Sequence, residues 1–261
     1  MKLRYIIPLS LLCVFLLNGI SYPEVSQYFD RDGNPLSAES RNREDSLSEG
    51  IQRYSIPEGI ALHKDIRYEF YPVFGKTFSE IVRSAEENSP VYPKNKKRLP
   101  SKTDWTLGWT YKIDYSEDFD AEDKTLHVSA ELYDIIITYD ITITLPTLTD
   151  DTALNPAEKN LWKNYYLRLV EYEHDHAKII RDKDTEQELR KKFSGLEDVI
   201  FVFSTDVDFV KNVDTFIEKE TKKIGREWVI NVKKRTDEYD RVTEYGFALQ
   251  KKDSFFSRKE R

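Results

Sequence analysis

The sequence predicts an α+β fold, in which an antiparallel sheet carries two long helices packed on one of its faces. Between residues 105 and 145, apolar and polar side chains alternate with a period of two, which is typical of strands with one buried face. Between residues 156 and 228, two segments instead place apolar side chains three and four positions apart, the spacing of an amphipathic helix. A disordered N-terminal extension is expected to precede this domain.

Residues 1–21 have the pattern of a secretory signal peptide. Lys2 and Arg4 precede an apolar run from Tyr5 to Leu17, and small or polar residues follow that run. A membrane-spanning helix needs about 20 apolar residues, so this run is too short to span. The protein is therefore expected to be exported, either to the periplasm or out of the cell, with no stable membrane span after cleavage.

Cleavage of this peptide would also determine the charge and redox chemistry of the mature chain. It would remove two of the 40 basic residues and none of the 47 acidic ones, which leaves 38 against 47 and a net charge of −9. Such an acidic protein is a poor candidate for nucleic-acid binding, which depends on neutralising phosphates. The single cysteine, Cys13, lies in the apolar run, so disulfides are not expected in the mature chain.

The remaining sequence divides into three parts. Residues 22–60 are polar and rich in turn-forming residues, and we expect them to form a flexible extension. Residues 61–250 contain the periodic segments and form the expected folded domain. Residues 251–261 are charged, and we expect them to be a frayed tail.

The folded domain is expected to begin with a short strand and a helix. The stretch from Tyr68 to Val73 is rich in aromatic residues, and the turn at 75–77 leads into a helix with apolar residues at helical spacing. The long alternating strands then follow. Their inward-facing residues are Trp105, Leu107, Trp109, Tyr111, Leu126, Val128, Ala130, Leu132, Tyr139, Ile141, Ile143 and Leu145.

Both long helices have recognisable start signals. Asn155, Pro156 and Glu158 read as an N-cap, a proline in the first helical position and a capping-box glutamate. The second long helix is expected to start near residues 204–206 and to continue through Trp228.

The first long helix contains the stretch most informative about function, Glu171-Tyr172-Glu173-His174-Asp175-His176. In the zinc-peptidase motif H-E-x-x-H, two histidines one turn apart bind one ion, and the glutamate activates the bound water. Here a tyrosine, Tyr172, stands at the first histidine position. The apolar stripe directs Tyr172 and His176 inward, whereas His174 lies about 200° around the helix from His176. The two histidines therefore cannot bind the same ion, and His174 is expected on a solvated face with Glu171 and Asp175.

From Tyr68 to Gly246 the chain resembles the bacterial domain-of-unknown-function family described as predicted secreted Zn-dependent proteases. The similarity covers the motif helix, Trp162 before it and the pair Trp105 and Trp109. It also includes three short segments, namely Tyr71-Pro72-Val73-x-Gly75-Lys76-Thr77, Thr144-Leu145-Pro146 and Tyr239-Asp240-x-x-Thr243-Glu244-Tyr245-Gly246. The last segment is similar to the family's Y-D-x-x-T-x-H-G.

The resemblance implies that Glu173 stands at the catalytic position and His176 at a metal-ligand position. Tyr172 and Tyr245 replace the first motif histidine and the histidine of the closing segment, and they are the other candidate ligands. His174 is a further candidate. A neutral phenol is a poor zinc ligand, and catalytic zinc normally has three protein ligands. Zinc is thus possible here, but we expect it to be absent or weakly bound.

Three functions are compatible with this sequence. The first is an exported protein of metalloprotease descent with a catalytically impaired site, which binds a peptide or protein in the cell envelope or outside the cell. The second is an active zinc metallopeptidase with an atypical Tyr/Glu/His ligand set and Glu173 as ligand or base. The third is a cell-envelope interaction module that makes contacts through aromatics such as Trp105, Trp109 and the many tyrosines. An exposed aromatic patch away from the motif helix would favour it.

Overall fold

A computed structural model describes residues 25–36, 56–91, 98–122, 125–149, 154–196, 200–204 and 209–257. These ranges contain strands and α-helices of one α+β domain, which confirms the predicted fold class. The elements are β1 Val25–Asp30, β2 Arg67–Val73, α1 Phe78–Asn88, β3 Lys102–Asp120, β4 Thr125–Leu148, α2 Pro156–Ile180, α3 Lys183–Ser194, β5 Ile200–Ser204, α4 Phe209–Thr243 and α5 Lys252–Phe256. A 3₁₀ turn at Leu249–Lys251 precedes α5.

The two long strands β3 and β4 form the centre of the sheet. They pair in antiparallel fashion from Lys102 opposite Thr144 to Asp120 opposite Thr125. Strand β1 adds antiparallel to β3, and β5 adds antiparallel to the start of β4. Strand β2 pairs in parallel with the end of β4, so the sheet is mixed. Alternation along a strand specifies which side chains are buried but not the direction of its neighbour, which is why the parallel pair was not predicted.

The N-terminal segment differs from the flexible extension that was expected for residues 22–60. Residues 25–30 form the edge strand β1. The ring of Phe29 is buried and stacks on the indole of Trp109, with ring centroids 5.1 Å apart. This strand is stabilised by contacts with a partner about eighty positions further along the chain, which composition does not reveal. Residues 37–55 of the predicted extension lie outside the described residues.

The C-terminal segment is also more ordered than the frayed tail expected for residues 251–261. Residues 252–256 form α5, in which Phe255 is buried against Tyr239 of α4 with ring centroids 5.3 Å apart. Lys252 pairs with Glu171 of α2 and lies 3.6 Å from the Asp175 carboxylate. An aromatic pair within a charged stretch therefore docks the segment, and residues 258–261 lie outside the described part of the chain.

The predicted signal peptide, residues 1–21, also lies outside the described residues. Among the helices within the described ranges, none has an apolar stretch long enough to cross a bilayer.

Both long helices pack on the same face of β3. Thr103 bonds to Glu173 of α2, and the indole of Trp105 lies edge-on against Trp228 of α4, with ring centroids 6.1 Å apart. Residues two positions apart in a strand point to the same side, so α2 and α4 cover one continuous surface. Trp105 and Trp109 are consequently buried between the sheet and the helices.

Helix α4 crosses β3 at Gly225, where the Trp109 ring occupies the space that a side chain would need. A β-carbon at Gly225 would lie 2.1 Å from the Cη2 atom of that ring, which is far closer than a van der Waals contact. The glycine therefore permits the helix to approach the sheet. Gly195, after α3, has no such restriction, since its β-carbon would lie 3.5 Å from the nearest atom.

We expect Gly225→Ala to lower the free energy of unfolding by about 1–3 kcal/mol, because the added methyl group overpacks the Trp109 ring. This loss should appear although alanine favours a helix interior by roughly 1 kcal/mol over glycine. Urea unfolding of both variants tests it, with Gly195→Ala as the control that should change stability by less than about 0.5 kcal/mol. Equal stabilities for the two variants would contradict the close approach.

Candidate functional site

Helix α2 places Tyr172, Glu173 and His176 at the interface between the sheet and α4. Asn155 caps the helix by accepting a hydrogen bond from the Glu158 backbone, and Pro156 follows the cap, as predicted. Tyr172 and Glu173 are buried, and 12% of the His176 side chain is exposed. The helical phase inferred from the apolar stripe is therefore confirmed for Tyr172 and His176.

Glu173 is held by the first residues of β3 and by the residue before that strand. The Ser101 hydroxyl donates to one carboxylate oxygen at 2.5 Å, and the Thr103 hydroxyl donates to the other at 2.7 Å. The second oxygen also lies 3.5 Å from Nδ1 of His176. Both oxygens of this carboxylate, which is only 1% exposed, are engaged by neighbouring side chains.

His176 lies between two carboxylates. Its Nε2 is 2.8 Å from Oδ1 of Asp240 on α4, and its Nδ1 faces Glu173. Burial by itself would lower the pKa of His176, but the hydrogen bonds to Asp240 and Glu173 outweigh burial and raise this pKa to about 9. An imidazole donates from both nitrogens only in its protonated form, which the raised pKa favours at neutral pH.

Tyr172 completes this cluster on the other side of Asp240. Its hydroxyl donates to the same carboxylate oxygen that His176 approaches, and its ring stacks on Tyr239 with centroids 5.7 Å apart. Burial, followed by the negative charge of Asp240, raises the pKa of Tyr172 far above its ordinary value. The side chain is therefore a neutral phenol that acts as a hydrogen-bond donor.

Tyr245 stands on an unusual turn that follows α4. Glu244, Tyr245 and Gly246 have φ values of 52°, 56° and 86°, so three consecutive residues adopt the left-handed conformation. The Tyr245 backbone N–H donates to the carbonyl of Asp240 at 2.8 Å, and Gly246 packs under the Tyr172 ring. A β-carbon at Gly246 would lie 3.2 Å from Cγ of that ring, which explains the glycine there.

The predicted candidates converge around one cavity of about 210 Å³. Its wall includes Tyr172, Glu173, His176 and Tyr245, to which the structure adds Asp240. Asp240 belongs to the closing segment, but the sequence assigns it no role, because nothing distinguishes this carboxylate from the others among 47 acidic residues. No pattern in the sequence predicts that Ser101 and Thr103 contact Glu173.

His174 does not lie on the solvated face that was expected for it with Glu171 and Asp175. Its Nε2 is 2.7 Å from the Tyr68 hydroxyl, and its ring packs against His63 with centroids 4.3 Å apart. Burial, together with the charge of His63, lowers the pKa of His174. Asp175 likewise accepts a hydrogen bond from Tyr239 at 2.6 Å. The loop before β2 and helix α5 cover these sides of α2, so His174 is separated from the cavity.

In this structure, the candidate zinc donors are hydrogen-bonded to one another. Zinc binds the neutral form of histidine, whereas here both nitrogens of His176 face carboxylates. Tyr172 directs its proton to Asp240, and Glu173 is occupied by two hydroxyl donors. Within the described ranges, no three histidine, cysteine or acidic side chains form a group that could hold a metal ion. The arrangement is that of a hydrogen-bonded ion cluster.

A comparison with family models gives one match, described as "Bacterial protein of unknown function (DUF922)". It covers residues 68–246, more than half of the 261-residue chain. The matched span runs from β2 to the left-handed turn, and it includes α2 with the motif and the closing segment. No curated protein and no solved structure matches the chain.

Proposed function

Because this chain belongs to the bacterial DUF922 family over residues 68–246, the span that also carries its resemblance to predicted secreted zinc-dependent proteases, we propose that it is an exported binding protein of metallopeptidase descent. In this proposal the motif helix has lost catalysis and the cavity beside it serves to bind a peptide or protein ligand. The observation that carries the proposal is the position of His176, whose two ring nitrogens both face carboxylates.

The chemistry of peptide hydrolysis requires groups that are unavailable in this cluster. A general base needs an accessible lone pair near the water that it activates. The oxygens of Glu173 instead accept hydrogen bonds from Ser101 and Thr103 and face the His176 imidazolium. Tyr172, at the first ligand position, is a neutral donor to Asp240. The same side chains that would bind metal and activate water are thus bonded to one another.

The left-handed turn at 244–246 supports a role in binding. A non-glycine residue in this conformation costs of order 1–3 kcal/mol, and such strain persists where a particular side-chain position is needed. Here the strained residues are Glu244 and Tyr245, and Tyr245 is 60% exposed at the cavity. The turn therefore presents an aromatic side chain to a ligand at the cost of local backbone strain.

The proposal predicts little zinc and no peptidase activity. Protein purified without chelators should contain less than about 0.1 zinc per chain, because zinc would have to displace the proton of His176 and break the hydrogen bonds of the cluster. Casein hydrolysis by the wild type should equal that of Glu173→Gln. Metal analysis and a fluorescent casein assay are the measurements. Stoichiometric zinc, together with hydrolysis that Glu173→Gln abolishes, would establish the alternative of an active metallopeptidase with an atypical ligand set and would sink the proposal.

The interaction-module alternative loses the support that it drew from Trp105 and Trp109, because both side chains are buried between β3 and the helices. Aromatic side chains are exposed at Phe74, Phe119 and Tyr133, and beside the candidate site at Tyr245 and Phe247.

A further inference from the structure

A second and larger cavity, of about 490 Å³, lies on the other side of Tyr172 and Tyr245. Much of its wall is apolar and comes from α1, α2, the segment before β3 and the turn after α4. The apolar residues of this wall include Val82, Leu99, Pro100, Tyr165, Leu169 and Phe247. The function proposed above makes no use of this cavity. We refer to it as the apolar cavity and to the 210 Å³ cavity as the polar cavity.

The two cavities adjoin, because they share part of their walls, and together they are called the cleft. Leu99, Ser101, Tyr172 and Tyr245 line both of them. A ligand in the cleft would therefore pass from apolar side chains to the Glu173, His176 and Asp240 cluster within a short distance. An extended peptide, which alternates side chains with polar backbone groups, matches this change from apolar to polar surroundings.

The mouth of the apolar cavity carries an exposed aromatic side chain. Phe247 is 79% exposed, although the strained turn before it fixes the backbone through the bond from Ala248 N–H to the Thr243 carbonyl at 2.8 Å. Exposed aromatic residues that are held rigidly beside a pocket are typical anchors of peptide and protein interfaces. Phe247 is thus positioned to close over a side chain inserted into the apolar cavity.

The charges on this wall favour an acidic neighbour. Arg98 and Arg168 line the apolar cavity, and Glu86 is the single acidic side chain among its described lining residues. This excess of positive charge occurs in a chain whose formal net charge is −7. Complementary charges of this kind set specificity and the rate of encounter.

We propose that the cleft binds an extended peptide that places a large apolar side chain, aromatic or leucine, in the apolar cavity and an adjacent acidic residue near Arg168. This inference rests on the proposed binding function and specifies its ligand. The peptide backbone continues past Tyr172 and Tyr245 toward the polar cavity.

A displayed library of random dodecapeptides, selected on the mature protein, provides the test. We expect the selected peptides to carry an aromatic residue or leucine next to aspartate or glutamate. Fluorescence anisotropy of synthetic copies should show Leu169→Arg weakening the dissociation constant by about tenfold or more, because the charge fills the apolar cavity. The matched control is Leu167→Arg on the same helix, which is 40% exposed and should change the constant by less than about twofold.

Two further variants test the same site without disturbing the core. Phe247→Ala should weaken binding by about three- to tenfold while leaving the melting temperature unchanged, because the ring is exposed. Arg168→Glu should weaken binding of the selected peptides. It should strengthen binding of peptides in which the acidic residue is replaced by lysine. Recovery of binding when both charges are reversed would show that Arg168 pairs directly with the acidic residue of the peptide.

The outcomes separate this inference from the proposed function. Peptides that bind but do not respond to Leu169→Arg, Phe247→Ala or Arg168→Glu would overturn the cleft assignment and leave a peptide-binding protein. Selection of no peptide with a dissociation constant below about 100 μM would overturn both. Displacement of the selected peptides by palmitate, or self-association of the protein through Phe247, would also overturn the assignment.

Discussion

Glu173→Ala is expected to lower the free energy of unfolding by about 3–5 kcal/mol at pH 7, the range observed when one partner of a buried ion pair is removed. The substitution would leave the hydroxyls of Ser101 and Thr103 without their acceptor and the His176 imidazolium with one carboxylate instead of two. Glu173→Gln, which keeps the side-chain volume and one acceptor oxygen, should lower the free energy of unfolding by less. Urea unfolding at pH 7 is the measurement.

The matched control is Glu171→Ala, two positions earlier on the same helix. Its carboxylate is half exposed and pairs with Lys252 at the surface, so the loss should be about 0–1 kcal/mol. A glutamate that served only as a catalytic base would not be needed for stability. If Glu173→Ala and Glu171→Ala unfold at the same urea concentration, the structural role assigned to Glu173 is wrong.

The second large effect concerns the pH dependence of stability. The folded pKa of His176 is raised to about 9 from an ordinary value of 6.5. A raised histidine pKa contributes stability that is fully present below pH 6.5 and is lost as the pH rises through 9. The difference of 2.5 units corresponds to about 3 kcal/mol at 1.36 kcal/mol per unit. The wild type should therefore lose about this much stability between pH 6.5 and 9.5.

His176→Gln provides the control for this prediction, because it removes the titrating group and keeps a side chain that can donate to Asp240. The stability difference between the wild type and this variant should shrink as the pH rises across the same window. Lys252 also has a raised pKa, but from an ordinary value of 10.5, so its contribution is lost at higher pH. A difference that is independent of pH would contradict the charged state assigned to His176.

The features predicted correctly from sequence depend on local pattern. Alternation from residue 105 to residue 145 defines the buried face of β3 and β4, and the cap at Asn155 defines the start of α2. The same helical phase puts Tyr172 and His176 on one side of α2. These inferences need no knowledge of how the elements dock.

The features that were missed depend on docking. Asp240 reaches His176 across 64 positions of the chain, and Ser101 reaches Glu173 across 72. The exposure of His174 was inferred from the apolar stripe of α2 alone, yet the loop before β2 packs on its polar side. Helical periodicity identifies the most apolar face, but it does not reveal that other faces are covered by polar contacts.

In the proposed function the motif has lost its chemistry, and the cluster gives its residues a structural role. Glu173 joins α2 to the start of β3, and Asp240 joins α2 to α4 through both His176 and Tyr172. These side chains therefore connect the sheet with both long helices. We infer that Glu173 and His176 support the fold around the cleft.

The central claim is that His176 is a protonated member of a closed cluster and does not bind metal. Nitrogen NMR of the imidazole, assigned with His176→Gln, tests this most directly. The account predicts that both ring nitrogens are protonated at pH 7.5, that the ring titrates near pH 9, and that equimolar zinc leaves both signals unchanged. A neutral ring at pH 7.5 whose nitrogen signal shifts on addition of zinc would contradict it.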